Sequence, residues 1–276
     1  MSLCESAKLK KKESAEDFFE GCIRRADASW HEVLRSALSA VERQTPGYLL
    51  QLSESYFLPV EDQLFAAFSQ PLNRVSYVLI GEGPYPRAES ANGYCFMDGA
   101  VKSLWALEEG GGLSKQVNRA TSLRNFMKML LVAERHIDLC HLRLETIAEF
   151  AAKAKLQPNL YIQSLMQLQA NFLNRGFLLL NASLVFREEV SPVIDAKAWL
   201  PFLDVVLKAI TSREPNVSRV TVILWGKIAD RLKTIEYLQD SERLSIAKAE
   251  HPYNLSFISN RQMHALFSPL NLLRAT

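Results

Sequence analysis

Four short apolar runs along the chain predict buried β-strands. They cover residues 75–80, 177–180, 220–225 and 245–249. The first three are almost continuous in Val, Ile, Leu, Phe and Tyr, a pattern typical of parallel strands that are covered on both faces. Helical patterns separate them, at residues 122–133, 144–155, 161–173, 199–210 and 227–238. Strands that alternate with helices predict a three-layer α/β/α fold around a central, mostly parallel sheet of about four strands.

The region before the first strand predicts one further helix. It opens at Ser29, and Glu32 follows at the spacing of a capping box. Apolar residues then recur along one helical face: Trp30, Val33, Leu34, Ala37, Leu38 and Val41. We therefore expect residues 1–28 to form a Lys-rich tail with a short helix. Residues 29–276 are predicted to form a single domain.

The predicted domain includes an enlarged helical region at about residues 98–170. The polar stretch 98–121 lies at its start and contains Gly110, Gly111 and Gly112. We predict an exposed loop there, because a phosphate-binding glycine loop needs a strand before it and a helix directly after it.

Composition narrows the class of protein. The chain has 276 residues, of which 48% are hydrophobic and 22% charged, which excludes a disordered or low-complexity protein. No apolar run reaches the length of a membrane helix, so no membrane partner is predicted. The formal net charge is only +2, so any surface that binds phosphate must be a local patch.

Cysteine and histidine positions give no support for a metal site or a disulfide framework. The four cysteines and five histidines are scattered, without the spacing of a zinc site or of a bonded Cys pair. We expect reduced cysteines and a cytoplasmic monomer that holds no metal and needs no cofactor.

Distinctive residues follow each predicted strand. In an open α/β sheet, ligands bind at the carboxyl ends of the strands. Those ends carry an aromatic pair, a carboxamide and a histidine, which suit a flat heteroaromatic ligand better than a phosphate ester. The segments are G-E-G-P-Y-P at 81–86, G-Y-C-F at 93–96, N-A-S at 181–183, G-K at 226–227 and H-P-Y-N-L-S at 251–256.

In order and spacing these segments resemble the motifs of the uracil-DNA glycosylases. The family reads G-Q-D-P-Y-H followed by G-x-C-F, then L-L-L-N-x-x-L-x-x-R, L-L-W-G and H-P-S-P-L-S. This chain matches the third motif at 178–187 and the fourth, as I-L-W-G, at 223–226. The stretch S-W-H-E-V-L at 29–34 resembles the family's first helix. The resemblance covers about residues 29–267, apart from the helical region.

The resemblance implies a role for each matching residue. The family flips uracil out of the DNA stack into a pocket. Asn181 matches the residue that hydrogen-bonds uracil, Phe96 the ring that stacks on it, and Tyr85 the wall that excludes the thymine methyl. His251 matches the catalytic group that stabilises the departing uracil anion, and Leu255 the wedge that fills the vacated stack.

Contacts with the DNA backbone are predicted at the same edge. The candidates are Ser122 at a helix start, Lys227 beside Gly226, and Ser256 beside the wedge. Glu82, which precedes Gly83 in the first motif, is a further candidate for binding the base in the pocket.

The chain also departs from the family pattern. The family's catalytic Asp in the first motif corresponds here to Gly83, which has no side chain. Pro86 replaces the final His of that motif, and Tyr253-Asn254 replaces Ser-Pro beside the wedge. Because a positioned general base contributes about 10²–10⁴-fold, its loss predicts slow rather than absent catalysis.

Three hypotheses therefore stay open. The first is a slow glycosylase that hydrolyses the N-glycosidic bond of uracil or a modified base in DNA, as in base-excision repair. The second is a catalytically silent module of the same fold that binds DNA, a base or a nucleotide. The third is a scaffold whose extra helices bind a protein partner. A basic rim around Leu255 and Ser122 would favour DNA.

Overall fold

A computed structural model describes residues 14–212, 219–232 and 243–276. Within these residues the sheet has four strands, all parallel, in the order β2-β1-β3-β4. They are β1 (Tyr77–Gly81), β2 (Phe177–Asn181), β3 (Val220–Trp225) and β4 (Leu244–Ala249). The predicted strands and their parallel arrangement are confirmed.

Both faces of the sheet are covered, which explains the continuous apolar runs. Along β1, Val78 and Ile80 enter one hydrophobic core, whereas Leu79 enters the other. The first core also receives α1 (Ala15–Ile23), α2 (His31–Gln44), α3 (Tyr48–Ser53), α8 (Pro192–Ala198), α9 (Leu200–Thr211) and α10 (Ile228–Arg231).

The second core lies under the remaining helices. These are α4 (Lys115–Arg119), α5 (Thr121–Ala133), α6 (Leu144–Leu156), α7 (Leu165–Asn174) and α11 (Arg261–Phe267). Their buried aromatic rings pack around Phe126, which stacks on Phe172 and meets Phe267 edge to face. Helices on both sides of one parallel sheet complete the three-layer α/β/α fold that the sequence predicts.

The predicted helix start at Ser29 is wrong in its details. A short 3-10 helix, Ala28–Trp30, comes first, and α2 begins at His31. Asp27 caps this turn by accepting from the Ser29 backbone N–H at 3.0 Å. The Ser29 hydroxyl accepts instead from the backbone N–H of Leu72 at 2.8 Å, so it joins two segments rather than closing a capping box.

The predicted exposed loop at 98–121 is also wrong. Most of its large apolar residues are buried, namely Val101, Leu104, Trp105, Leu113 and Val117, whereas Leu107 is exposed. The indole N–H of Trp105 donates to the Ile162 carbonyl at 2.8 Å, across the second core. Residues 107–110 form the longest exposed run in this stretch, and α4 follows at Lys115.

Three predicted helices have different bounds. The pattern at 161–173 becomes a helix only at Leu165, because Ser164 caps it with a capping box to Gln167. The pattern at 199–210 belongs to α9, and α8 precedes it directly. The pattern at 227–238 forms α10, and its last part lies outside the described residues.

Helix α1 packs onto α2 and α3, and its Phe19 and Ile23 join the first core. A domain boundary at residue 28 stays a prediction, and the predicted tail at 1–13 lies outside the described residues. Within the described residues, Cys22, Cys95 and Cys140 form no disulfide bond. Among the described helices, none has the length and apolar character to cross a membrane.

Candidate active site

A cavity of about 230 Å³ opens at the carboxyl ends of β1, β2 and β3. It brings together most of the residues singled out in the sequence, from segments up to about 170 positions apart: Glu82, Gly83, Tyr85, Phe96, Ser122, Asn181 and His251. Leu255, Ser256 and Lys227 do not line it. Leu255 lies nearby in the chain, with 69% of its side chain exposed.

Asn181 presents an unused amide to this cavity. It is the last residue of β2, pairs with Gly81 of β1, and is only 4% exposed. Its side chain has no hydrogen-bond partner among the described residues, so the amide is available to a ligand in the cavity. A side chain at position 81 would start 2.9 Å from the Asn181 Oδ1, so Gly81 is needed for this close approach.

Aromatic rings also line the cavity. Phe96 has a φ of +65°, which is unusual for a bulky residue and typical of strained functional positions. Its ring packs edge to face on Phe126 and Trp225, with centroids 5.2 Å away in each case. Burial raises the pKa of the neighbouring Tyr85 phenol, so Tyr85 stays neutral.

His251 is held as a neutral ring with a defined proton position. The Tyr253 backbone N–H donates to Nδ1 at 3.1 Å, which leaves Nε2 as the protonated nitrogen. Partial burial lowers the pKa of His251, while the charge of Glu82 acts in the opposite direction. Gly226, at φ +66°, lies against this histidine: a Cβ there would stand 2.8 Å from the His251 Cβ.

A residue that sequence reasoning missed holds the His251 segment in place. Asn125, fully buried in α5, donates through Nδ2 to the carbonyls of Pro252 at 2.8 Å and Tyr253 at 3.2 Å. An Asn on the buried face of an amphipathic helix was a usable signal, because buried amides are nearly always hydrogen-bonded.

Comparison with known proteins places this chain in a family. No model of a known protein family matches the chain. The solved structure of the wild-type UNG from Nitratifractor salsuginis is 35% identical and superposes with a TM-score of 0.80, over 94% of this chain and 97% of that one. The chain belongs to the uracil-DNA glycosylase superfamily.

Curated members of the uracil-DNA glycosylase superfamily are more distant. The uracil-DNA glycosylase of Streptococcus mutans is 25% identical over 238 residues, which are 83% of this chain and 85% of that protein. The enzyme of the same name from Flavobacterium johnsoniae is 29% identical over 199 residues, 72% of this chain and 69% of that protein.

The position of the superfamily's motif aspartate has room for a side chain here. A Cβ at Gly83 would lie 3.7 Å from the Ser183 Cβ and 3.8 Å from the Ser183 carbonyl oxygen, both ordinary contacts. Glu82, one residue earlier, supplies the one carboxylate among the residues that line the cavity. The cavity therefore has space for a carboxylate side chain at position 83.

Proposed function

We propose that this protein excises uracil from DNA by slow hydrolysis of the N-glycosidic bond, without a metal. The observation that carries the proposal is the combination, in one small cavity, of an unpartnered amide, an aromatic wall and a neutral imidazole. At about 230 Å³ the cavity is below the usual range for drug-sized ligands, so it suits a single base.

Recognition rests on the Asn181 amide. Its oxygen accepts from uracil N3–H, and its NH2 donates to uracil O4. Cytosine presents the reverse donor and acceptor pattern, so it leaves two buried groups unpaired, and such mismatches are heavily penalised. The Tyr85 ring occupies the space that the 5-methyl group of thymine would need, and the Phe96 ring supports the base by stacking.

His251 stabilises the leaving group. When the bond between C1′ of the sugar and N1 of the base breaks, the electron pair stays on uracil, and negative charge develops at O2. A neutral imidazole that donates from Nε2 is a preorganised hydrogen-bond donor for that charge. The Tyr253 N–H on Nδ1 supports this assignment because it fixes the tautomer.

Water attack is the weakened half of the reaction. A water molecule adds to C1′ and releases one proton, while the sugar carries positive charge in the transition state. Gly83 cannot orient the water or accept its proton, and this loss costs about 10²–10⁴-fold. Glu82 is exposed at the cavity, and we propose that its negative charge partly stabilises the sugar cation.

A second candidate function follows from the same glycine. A pocket without a general base can bind without cutting, so a silent module that holds DNA, a base or a nucleotide, or a scaffold for a protein partner, is the alternative. DNA is the partner that the basic residues beside Ser122 favour, since Arg119 and Arg124 flank it. A cytoplasmic monomer stays a prediction.

A base-release assay separates these functions. Single-stranded and duplex oligonucleotides with one deoxyuridine are incubated with excess protein, and abasic sites are cleaved by alkali and counted. We expect slow release from deoxyuridine and none from thymidine or deoxycytidine. Binding that prefers deoxyuridine without any release would establish the silent module. Absence of both would leave the scaffold hypothesis.

A further inference from the structure

A second cavity, of about 490 Å³, adjoins the base cavity. The two share Tyr85 and Ser122 as lining residues, so a chain that enters one can continue into the other. We call the second cavity the flanking groove and define it by Tyr85, Arg87, Gln116, Arg119, Ser122 and Tyr253. Much of its wall comes from residues 98–120, the part of the chain for which the sequence predicted an exposed loop.

The flanking groove carries positive charge that the protein does not neutralise. The Arg119 side chain is exposed and forms no ion pair within the described residues. Arg87, also exposed, reaches the Asp98 carboxylate only at 3.4 Å. Asp98 is buried, and its other oxygen accepts from the Ala100 N–H at 3.0 Å. The two guanidinium groups of the groove face a single carboxylate, which already accepts a backbone hydrogen bond. The remaining positive charge favours an anionic ligand.

The flanking groove also contains an aromatic surface. Tyr253 lines it with 66% of its side chain exposed, although large aromatic rings are normally buried. It stands where the uracil-DNA glycosylase motif has a small serine. Exposed aromatic rings beside arginines are the usual construction of surfaces that bind single-stranded nucleic acid, where bases stack and cations hold phosphates.

We propose that the flanking groove binds the nucleotide next to the target nucleotide in the same strand. The base of that nucleotide stacks on Tyr253, and its phosphate contacts Arg119 and Arg87. Extrusion of the target base removes a stacking partner from its neighbour, and Tyr253 replaces that partner. This assignment rests on the proposed function, since the target nucleotide in the base cavity defines which nucleotide is its neighbour.

Tyr253 can be changed without disturbing the catalytic histidine. Only its backbone N–H holds the Nδ1 of His251, and Asn125 binds its backbone carbonyl. Tyr253→Ala keeps both contacts. Tyr56→Ala is a matched control, because Tyr56 is 74% exposed and lines neither cavity. Arg43→Gln, on the exposed surface of α2, is the matched control for Arg119→Gln.

The test uses short single-stranded oligonucleotides with one deoxyuridine next to 2-aminopurine, whose fluorescence falls on stacking. We expect wild-type protein to quench this fluorescence, Tyr253→Ala to abolish the quenching, and Tyr253→Trp to restore it. Affinity should fall about 5- to 150-fold in Tyr253→Ala. Arg119→Gln should lower the slope of log affinity against log salt by about 1. Neither control should change these quantities.

A spacer experiment separates this proposal from the proposed function. When an abasic spacer replaces the neighbouring base, wild-type affinity should fall by the same factor as in Tyr253→Ala, and the variant should be indifferent to the spacer. If the wild-type protein binds the oligonucleotides with and without the neighbouring base equally well, and still prefers deoxyuridine, the proposal for the flanking groove is wrong and the proposed function is unaffected. Quenching without preference for deoxyuridine over thymidine would instead overturn the proposed function and support the groove.

Discussion

Two walls of the same cavity differ in how closely they follow the uracil-DNA glycosylase motifs. The wall built by Tyr85, Phe96 and Asn181 keeps every residue of the pattern. The second wall, at positions 82, 83 and 86, departs from the pattern, because Glu82, Gly83 and Pro86 stand where the motif has glutamine, aspartate and histidine. In the proposed function, binding of a base depends on the first group of residues and hydrolysis of its bond on the second, and the departures from the motifs lie in the second group.

Packing explains why one wall is constrained and the other is not. Asn181 is part of β2 and packs closely against Gly81 and Cys95. A Cβ at position 81 would lie only 2.9 Å from the Asn181 Oδ1 and 2.9 Å from the Cys95 Cβ. A side chain added at Gly81 would therefore collide with both Asn181 and Cys95. Gly83 is exposed beyond the end of β1, with its nearest neighbours at ordinary van der Waals distance. Substitution at 83 alters chemistry at little cost in stability.

The largest expected effect comes from a substitution in the first wall, at Asn181. Asn181→Asp removes the NH2 that donates to uracil O4 and places a negative charge in a buried position. We expect uracil release to fall by about 10³-fold or more, because sites built on hydrogen bonds reject mismatched partners strongly. Single-turnover release from single-stranded DNA measures it.

The control for this substitution is Asn174→Asp, an exposed position at the end of α7. It introduces the same charge change away from the cavity, so release should stay at the wild-type rate. If Asn181→Asp folds, as judged by an unchanged thermal transition, and still releases uracil normally, Asn181 does not read the base.

Restoring the altered wall is expected to give the next largest change. Gly83→Asp adds a carboxylate where the structure has room for it, so uracil release should rise by about 10²-fold, at the lower end of a general-base contribution. Gly21→Asp on α1, where a new Cβ meets no atom within 4 Å, is the control for an added carboxylate. An unchanged rate in a folded Gly83→Asp variant that binds uracil-containing DNA would show that the aspartate alone does not limit catalysis.

The sequence predicts the first wall, Tyr85, Phe96 and Asn181, better than the surroundings of the cavity. Its residues follow directly after buried strands, and strand position depends on local apolar runs, as for Asn181 after residues 177–180. Trp105 and Asn125 were missed because their partners are distant. Trp105 binds the Ile162 carbonyl 57 positions away, and Asn125 binds a carbonyl 127 positions away. The polar residues and glycines around Trp105 resemble a surface loop until the facing helix is known.

A smaller effect is expected from removing the remaining carboxylate. Glu82→Gln should reduce uracil release about 10-fold, since it removes the negative charge that we assign to stabilisation of the sugar cation. Burial holds the pKa of His251 below its ordinary value, and Glu82 opposes that shift. The reaction needs neutral His251, so the acid limb of kcat/KM should lie below the ordinary pKa of histidine, about 6.5.

The Glu82→Gln substitution should also shift the acid limb of kcat/KM, because Glu82 raises the pKa of His251. Without the negative charge, the imidazolium is stabilised less, the pKa of His251 falls further, and the acid limb moves to lower pH. Profiles of kcat/KM against pH for both proteins measure it. A limb that moves to higher pH, or a rate loss without any movement, would mean that Glu82 does not act on His251 through its charge.

The smallest expected effect lies outside both walls, at the exposed Leu255. An apolar side chain that enters the DNA stack replaces contacts that a flipped base has lost, and only a duplex has such a stack to fill. Leu255→Ala should therefore slow release from duplex DNA several-fold, the range expected for about 1 kcal/mol of lost apolar contact, and leave release from single strands unchanged. The ratio of the two rates, compared with that of Leu156→Ala at another exposed leucine, removes differences in protein activity between preparations. Equal losses on both substrates would make Leu255 an ordinary loop residue. Uracil would then have to leave the duplex through its binding to Tyr85, Phe96 and Asn181 alone, without a contribution from the segment that follows His251.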